Sequence, residues 1–126
     1  MDLEKYFADH QGIGVLATAD DQGKVNAAIY SRPHFLAPDT VAFIMPDRLT
    51  HHNLQSNFQA HYLFLEQDSK SKGRRLYLTK LREEQDSELL HSLRRHQRGD
   101  DDTPRFLVTF KIDKVLPLVG AGPLPE

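Results

Sequence analysis

The sequence has no cysteine and no tryptophan, and no apolar run approaches the ~18 residues of a bilayer-spanning helix. Without cysteine there is no disulfide scaffold, thiolate metal site, iron–sulfur ligation or thiol nucleophile. The opening Met1-Asp2-Leu3-Glu4-Lys5 lacks the basic-then-apolar layout of a signal peptide, so no membrane association and a cytoplasmic location are expected. An excess of either charge is missing too. Sixteen Lys plus Arg stand against 18 Asp plus Glu, a net of -2, so no global field draws in nucleic acid. What is present is ordinary globular composition, 39% hydrophobic and 27% charged over 126 residues, which predicts one domain spanning 1–126. The surplus is in histidine: seven, more than a domain of this size needs for structure.

Local patterns predict short strands joined by turns. Leu3, Tyr6 and Phe7 recur at helical spacing behind Asp2 as N-cap, with Gly12 as the stop, giving a short N-terminal helix within 1–12. A hairpin follows, Ile13 to Ala19 and Lys24 to Ser31, turning at Asp20-Asp21-Gln22-Gly23. Pro33 and Pro38 punctuate the next stretch, Thr40 to Met45 is a strand, and Thr50 caps a brief helix to about Asn57. Tyr62 to Leu65 and Arg74 to Arg82 flank a polar hairpin loop. Asp86 or Ser87 opens a helix with Leu89, Leu90 and Leu93 on one face and Gly99 past its end. Phe106, Val108, Phe110 and Ile112 alternate as a strand with one buried face, Val115 to Val119 makes a last strand, and 120–126 is a Pro/Gly tail. Mostly hairpin connections disfavour a parallel sheet, and a small antiparallel barrel with two or three short helices fits best.

Arg48-Leu49-Thr50-His51-His52-Asn53 lies between a buried strand and a helix start. Free backbone N–H groups, a hydroxyl and a guanidinium converging there make an anion pocket suited to the phosphate of a mononucleotide cofactor. The same residues also read as a capped helix with Arg48 in solvent. His51, His52 and His61 invite a metal, but adjacent histidines on a helix point about 100° apart, and no carboxylate lies between Arg48 and Tyr62, so no metal site is assigned. His34 is a candidate acid, base or substrate contact if its loop rims the pocket. No nucleophile elbow surrounds any serine, and Glu83-Glu84 and Asp100-Asp101-Asp102 read as structural, at a helix start and in a solvated loop.

The order of the pieces carries a resemblance. Gly14-Val15-Leu16-Ala17-Thr18 with the turn Asp21-Gln22-Gly23, Val25 to Ala28, Thr50 to Leu54 leading to Asn57, Gly73 to Lys80 before an acidic stretch, and Phe106 to Pro117 together resemble the flavin mononucleotide (FMN)-binding split-barrel family related to pyridoxamine 5′-phosphate oxidase. The resemblance implies a mainly β, six-stranded antiparallel split barrel that forms a homodimer with FMN in a cleft between protomers. It maps flavin contacts onto Asn26, Ala27 and Ala28, main-chain contacts near Ile44, the phosphate loop onto Arg48, Leu49 and Thr50, with His51 as a further source of charge, and one more contact onto Arg75.

Relatives often carry a basic residue where Leu49 or Thr50 stands here, and no segment matches the region that holds pyridoxal phosphate in the full oxidase. The resemblance therefore implies a small FMN-dependent oxidoreductase or electron carrier, with donor and substrate unassigned and Tyr30 and His34 as candidate acid or base. The alternatives are a dimeric ligand-binding or sensor module that has lost flavin, and a haem-binding relative using His51, His52 or His61.

Overall fold

The computed structural model describes residues 2–94 and 104–124. Helix α1 spans Leu3–Asp9, opened by Asp2, whose carboxylate accepts the Lys5 N–H. The strands are β1 (Gly12–Ala19), β2 (Val25–Ile29), β3 (His34–Ala37), β4 (Thr40–Pro46), β5 (Gln59–Glu66), β6 (Gly73–Gln85) and β7 (Arg105–Pro117). Helix α2 (Leu49–Ser56) joins β4 to β5, and α3 (Glu88–Leu93) follows β6.

All seven strands form one antiparallel sheet in the order β2-β1-β5-β6-β7-β4-β3. The expected count of six is corrected to seven, and the sheet has two edges, β2 and β3, and does not close on itself. The extra strand is β3. Pro33 and Pro38 bracket it, and their reading as punctuation hid a four-residue edge strand that pairs His34 with Ala42 and Phe35 with Val41. Alternate residues of the strands meet in a core containing Leu16, Val41, Phe43, Met45, Tyr62, Phe64, Leu76, Leu78, Val108 and Phe110, which α1 covers with Tyr6 and Phe7.

Several boundaries differ from the sequence reading. Helix α1 ends at Asp9 with His10 as its C-cap, and Gly12 opens β1, where a Cβ would lie 2.0 Å from the Leu65 carbonyl oxygen and only glycine fits. Strand β7 is continuous through Val115 and Leu116, so no separate last strand exists there. It is also buried on both faces, since Leu107 packs with Ala42 and Leu90 beneath α3 while Val108 faces the main core. Glu83 and Glu84 lie inside β6, opposite Val108 and Leu107, and not at a helix start. Ser87 caps α3 by accepting the Leu90 N–H, and only Leu90 of its three leucines is fully buried. Arg95, His96, Arg98, Gly99 and Asp100-Asp101-Asp102 lie outside the described residues.

Helix α2 packs on β1, β2 and β4 and so bridges sheet elements that share no hydrogen bonds across the opening. Leu54 anchors it, fully buried in the core, and the amide of Asn53 donates to Thr18 on β1 at 3.1 Å. Arg48, in extended conformation, occupies the N-cap position without a side-chain cap, and Thr50 lies within the first turn, so the expected Thr50 cap is corrected. Among the described residues no helix is long and apolar enough to cross a membrane.

Candidate functional site

Where β2, β4 and the start of α2 meet there is a groove of about 460 Å3, within the range of small-molecule clefts. Asn26, Ala28, Ile29, Tyr30 and Ser31 form one wall, Ile44 and Pro46 the other, and Arg48, Leu49 and Thr50 the end. The alternation of β2 explains the first wall: Asn26 and Ala28 pair with Thr18 and Leu16 and share their face, so both turn inward. The far end of this wall is fixed by Tyr62, whose hydroxyl donates to the carbonyls of Tyr30 (3.3 Å) and Ser31 (3.0 Å). That hydroxyl sits where a side chain on Gly14 would be, 1.9 Å from the site of a Cβ, so residue 14 must be glycine for the contact to form.

At the end of the groove the Arg48 side chain is exposed, with no hydrogen bond to a described side chain, while Thr50 is buried. Burial pushes the Tyr30 phenol up; a hydrogen bond with the Thr50 hydroxyl and the positive field of Arg48 oppose that rise. Arg48, the buried Thr50 and the first turn of α2 thus share the end of the groove, beside apolar walls. This arrangement can hold a phosphate monoester attached to a flat, largely apolar body.

Of the nine expected site residues, Asn26, Ala28, Ile44, Arg48, Leu49 and Thr50 line this groove. Ala27 pairs with Ala17 on the opposite face of β2 and does not. Arg75 lies on β6, where its guanidinium donates to the carbonyls of Pro117 (2.9 Å) and Gly120, away from the groove of its own chain. His34 opens β3 and lines a smaller neighbouring cavity that shares Tyr30, Ser31 and Ile44 with the groove.

The buried His51 ring turns away from the groove into a polar network that reaches the surface at Asp47 and Gln55. Its Nδ1 lies 3.0 Å from an Asp47 oxygen and its Nε2 2.9 Å from a Glu83 oxygen, and its ring stacks on Phe106 at 3.8 Å. The other Glu83 oxygen accepts from Lys80 at 2.6 Å and from Gln55 at 2.9 Å. Burial pushes the Glu83 carboxyl up, but the hydrogen bonds from Lys80, Gln55 and His51 outweigh it and hold the group down at about 2. The sequence reading, which found no carboxylate between Arg48 and Tyr62, missed both partners. Asp47 was detectable as an i, i+4 neighbour of His51. Glu83, on another strand, left no local signal.

One face of the sheet is unusually apolar where β2, β1, β5 and β6 meet. Val25 is 77% exposed, Ile29 72%, Ile13 57% and Tyr77 46%. The register places Val15, Leu63, Ala17 and His61 among them.

No family model matches the chain, and no curated protein matches it. Solved structures do. An FMN-binding protein from Syntrophomonas wolfei subsp. wolfei superposes with a TM-score of 0.76 at 22% identity, covering 94% of this chain and 85% of its own. The chain has the split-barrel fold. A Lactobacillus delbrueckii protein provisionally named a pyridoxamine 5′-phosphate oxidase gives 0.70 at 14% identity, covering 92% of each chain. HutZ, the heme storage protein from Vibrio cholerae, shares the split barrel with a TM-score of 0.61 at 17% identity, covering 91% of this chain and 92% of its own.

Proposed function

We propose that this split barrel binds FMN as a homodimer and serves as a small flavin-dependent oxidoreductase or electron carrier. The observation that carries the reading is the groove end, where the exposed Arg48, Thr50 and the first turn of α2 adjoin the apolar walls of Ala28, Ile29, Ile44 and Leu49. The donor set fits the group: Arg48 and the N–H groups of α2 hold the phosphate, and the β2 wall lies along the ring system. FMN, when bound, supplies hydride or single-electron transfer. The chain's own residues bind and orient it and exclude water from one side. The Leu49 side chain adds contact area where a basic residue would add charge.

The groove is open on one side, and Ile29 belongs both to its wall and to the exposed apolar face. A second copy seated on that face would bury Val25, Ile29, Ile13 and Tyr77 and supply the missing wall; the flavin contact that the resemblance assigns to Arg75 would then have to come across the dimer. The test is retention. Purified protein mixed with FMN and desalted is expected to stay yellow, with quenched flavin fluorescence and a mass near twice 14.4 kDa. Colourless protein after desalting from micromolar FMN would overturn the reading and leave the dimeric module without flavin.

A second reading rests on His61. Its ring is half-buried beside Tyr77 on the apolar face, and burial together with Arg75 pushes its titration down, favouring the neutral imidazole that ligates metals. His51 is withdrawn from that role because both ring nitrogens face carboxylates. Haem binding predicts a Soret band that His61→Ala removes; a band unchanged in that variant sinks the assignment.

A further inference from the structure

The two nitrogens of the His51 ring each face a carboxylate oxygen, Asp47 at 3.0 Å in the β4–α2 turn and Glu83 at 2.9 Å on β6. An ionised carboxylate only accepts hydrogen bonds, so both nitrogens must carry a proton for both bonds to form. The Gln55 amide on α2 has two N–H groups for three acceptors, the His51 carbonyl (2.9 Å), Glu83 (2.9 Å) and Nε2 (3.0 Å), so it can donate to Nε2 once that nitrogen loses its proton, but this does not restore the Nε2–Glu83 bond; Lys80 on β6 holds the far Glu83 oxygen and the Leu54 carbonyl (3.1 Å). Phe106 on β7 stacks on the ring and offers no acceptor in its plane. The ring itself is 8% exposed, so water does not readily replace a lost partner.

From this geometry we infer that Asp47–His51–Glu83 is a proton-dependent clasp that positions the first turn of α2, and with it the Arg48, Leu49 and Thr50 end of the groove. Asp47, Arg48, Leu49, Thr50 and His51 are consecutive, so the residues that bind the anion are strung between one acceptor of the clasp and its ring. When the ring is neutral, one nitrogen presents a lone pair to a carboxylate lone pair, and one of the two bonds must open. If Asp47 lets go, the turn carrying Arg48 is released; if Glu83 lets go, the start of α2 loses its tie to β6. In either case the donors at the groove end no longer sit at fixed positions, and affinity for a phosphate monoester falls as the pH rises through the titration of the ring. His51 acts through the turn and is a positioning residue. This deepens the FMN reading above and rests on it for the identity of the ligand alone.

The test follows the ring and the helix separately. In the full-length protein, His51 ring resonances are titrated by NMR between about pH 5 and about pH 9, and amide exchange, corrected for its intrinsic pH dependence, is followed for Leu49 to Ser56 against the β5 amides. FMN and riboflavin affinities are read by fluorescence over the same range. The expected result is that α2 protection falls, relative to β5, in step with the ring titration. FMN affinity drops about fivefold or more while riboflavin affinity changes less.

Glu83→Gln supplies an amide donor where the ring meets an acceptor and leaves an oxygen for Lys80, so a neutral ring fits and the pH dependence flattens. Asp47→Asn does the same at the other nitrogen. Because the Asp47 side chain is 64% exposed, this variant is expected to fold even if Glu83→Gln does not. Protection of α2 that ignores the ring titration, or an Asp47→Asn variant as pH-dependent as the parent, overturns the clasp. If protection tracks the ring but no flavin binds at any pH, the clasp stands and the FMN reading fails.

Discussion

Glu83 accepts a hydrogen bond from Nε2 of His51 at 2.9 Å across 32 residues of sequence, and this contact fastens α2 to β6. Lys80 and Gln55 bond the other oxygen, so the carboxylate is depressed in the folded state. Its stabilisation is therefore fully present above its ordinary 4.5 and is lost as the pH falls toward about 2. Glu83→Gln is expected to cost about 1–3 kcal/mol at neutral pH. The difference from the parent, read from urea midpoints, narrows as the pH is lowered through that window; a constant difference would show that the depressed carboxyl is not its source.

Removing the guanidinium at the groove end tests where the phosphate sits. Arg48→Ala is expected to weaken FMN by about 1.5–3 kcal/mol and leave riboflavin, which has no phosphate, nearly unchanged. Equal losses for both ligands, measured by fluorescence titration, would place the phosphate elsewhere.

The exposed apolar face makes its own prediction. Ile29→Asp and Val25→Asp each put a charge where more than two thirds of an aliphatic side chain now faces solvent, so the monomer has little to lose. Both variants are expected to run near 14.4 kDa by light scattering while the parent runs near twice that. A monomeric parent would remove the shared cleft.

Leu54 holds α2 in the core. Leu54→Ala is expected to destabilise the fold by about 2–5 kcal/mol, with the cost at the upper end if the surrounding aromatic residues do not collapse into the space. Thermal or denaturant unfolding checks it, and a loss below 1 kcal/mol, about the scale of a surface change, would mean α2 is not anchored there.

Gly14→Ala is expected to be more damaging than an ordinary glycine substitution in a strand, because the added carbon would lie 1.9 Å from the Tyr62 oxygen. Displacing that hydroxyl frees the carbonyls of Tyr30 and Ser31 at the end of the groove wall. Adding Tyr62→Phe is expected to give little recovery, because the ring Cζ at 2.4 Å and the Tyr30 carbonyl at 2.6 Å still meet the added carbon; recovery to near the Tyr62→Phe single variant in urea unfolding would show that the hydroxyl alone sets the limit.

What was legible in the sequence was local. The helix cap at Asp2, the hairpin turn at Gly23 and the alternation along Phe106 to Phe110 all announce their structure within a few residues. The groove end was legible for the same reason, since Arg48, Leu49 and Thr50 are consecutive. Strand β3 was not, because its only partner is β4 and its flanking prolines give a turn signal that the edge position tolerates. The second buried face of β7 was hidden because covering it takes α3, whose position the strand's own pattern does not encode. The role of His51 was hidden most completely: a buried histidine between carboxylates needs a partner from another strand, and a pairing 32 residues apart leaves no periodicity to read.

The β4 wall of the groove hydrogen-bonds on one side to short β3 and on the other to β7, from Thr40 opposite Lys111 to Pro46 opposite Arg105. During synthesis, Ile44 and Pro46 leave the ribosome about sixty residues before the strand that fixes them, and loop closure over that span must come before the wall exists. A nascent chain ending before Arg105 holds Arg48 and Thr50 but has no second wall to set them against. The groove is therefore completed only once β7 has been made, and its β4 wall and the strand that fixes that wall come from segments that the chain delivers far apart in synthesis.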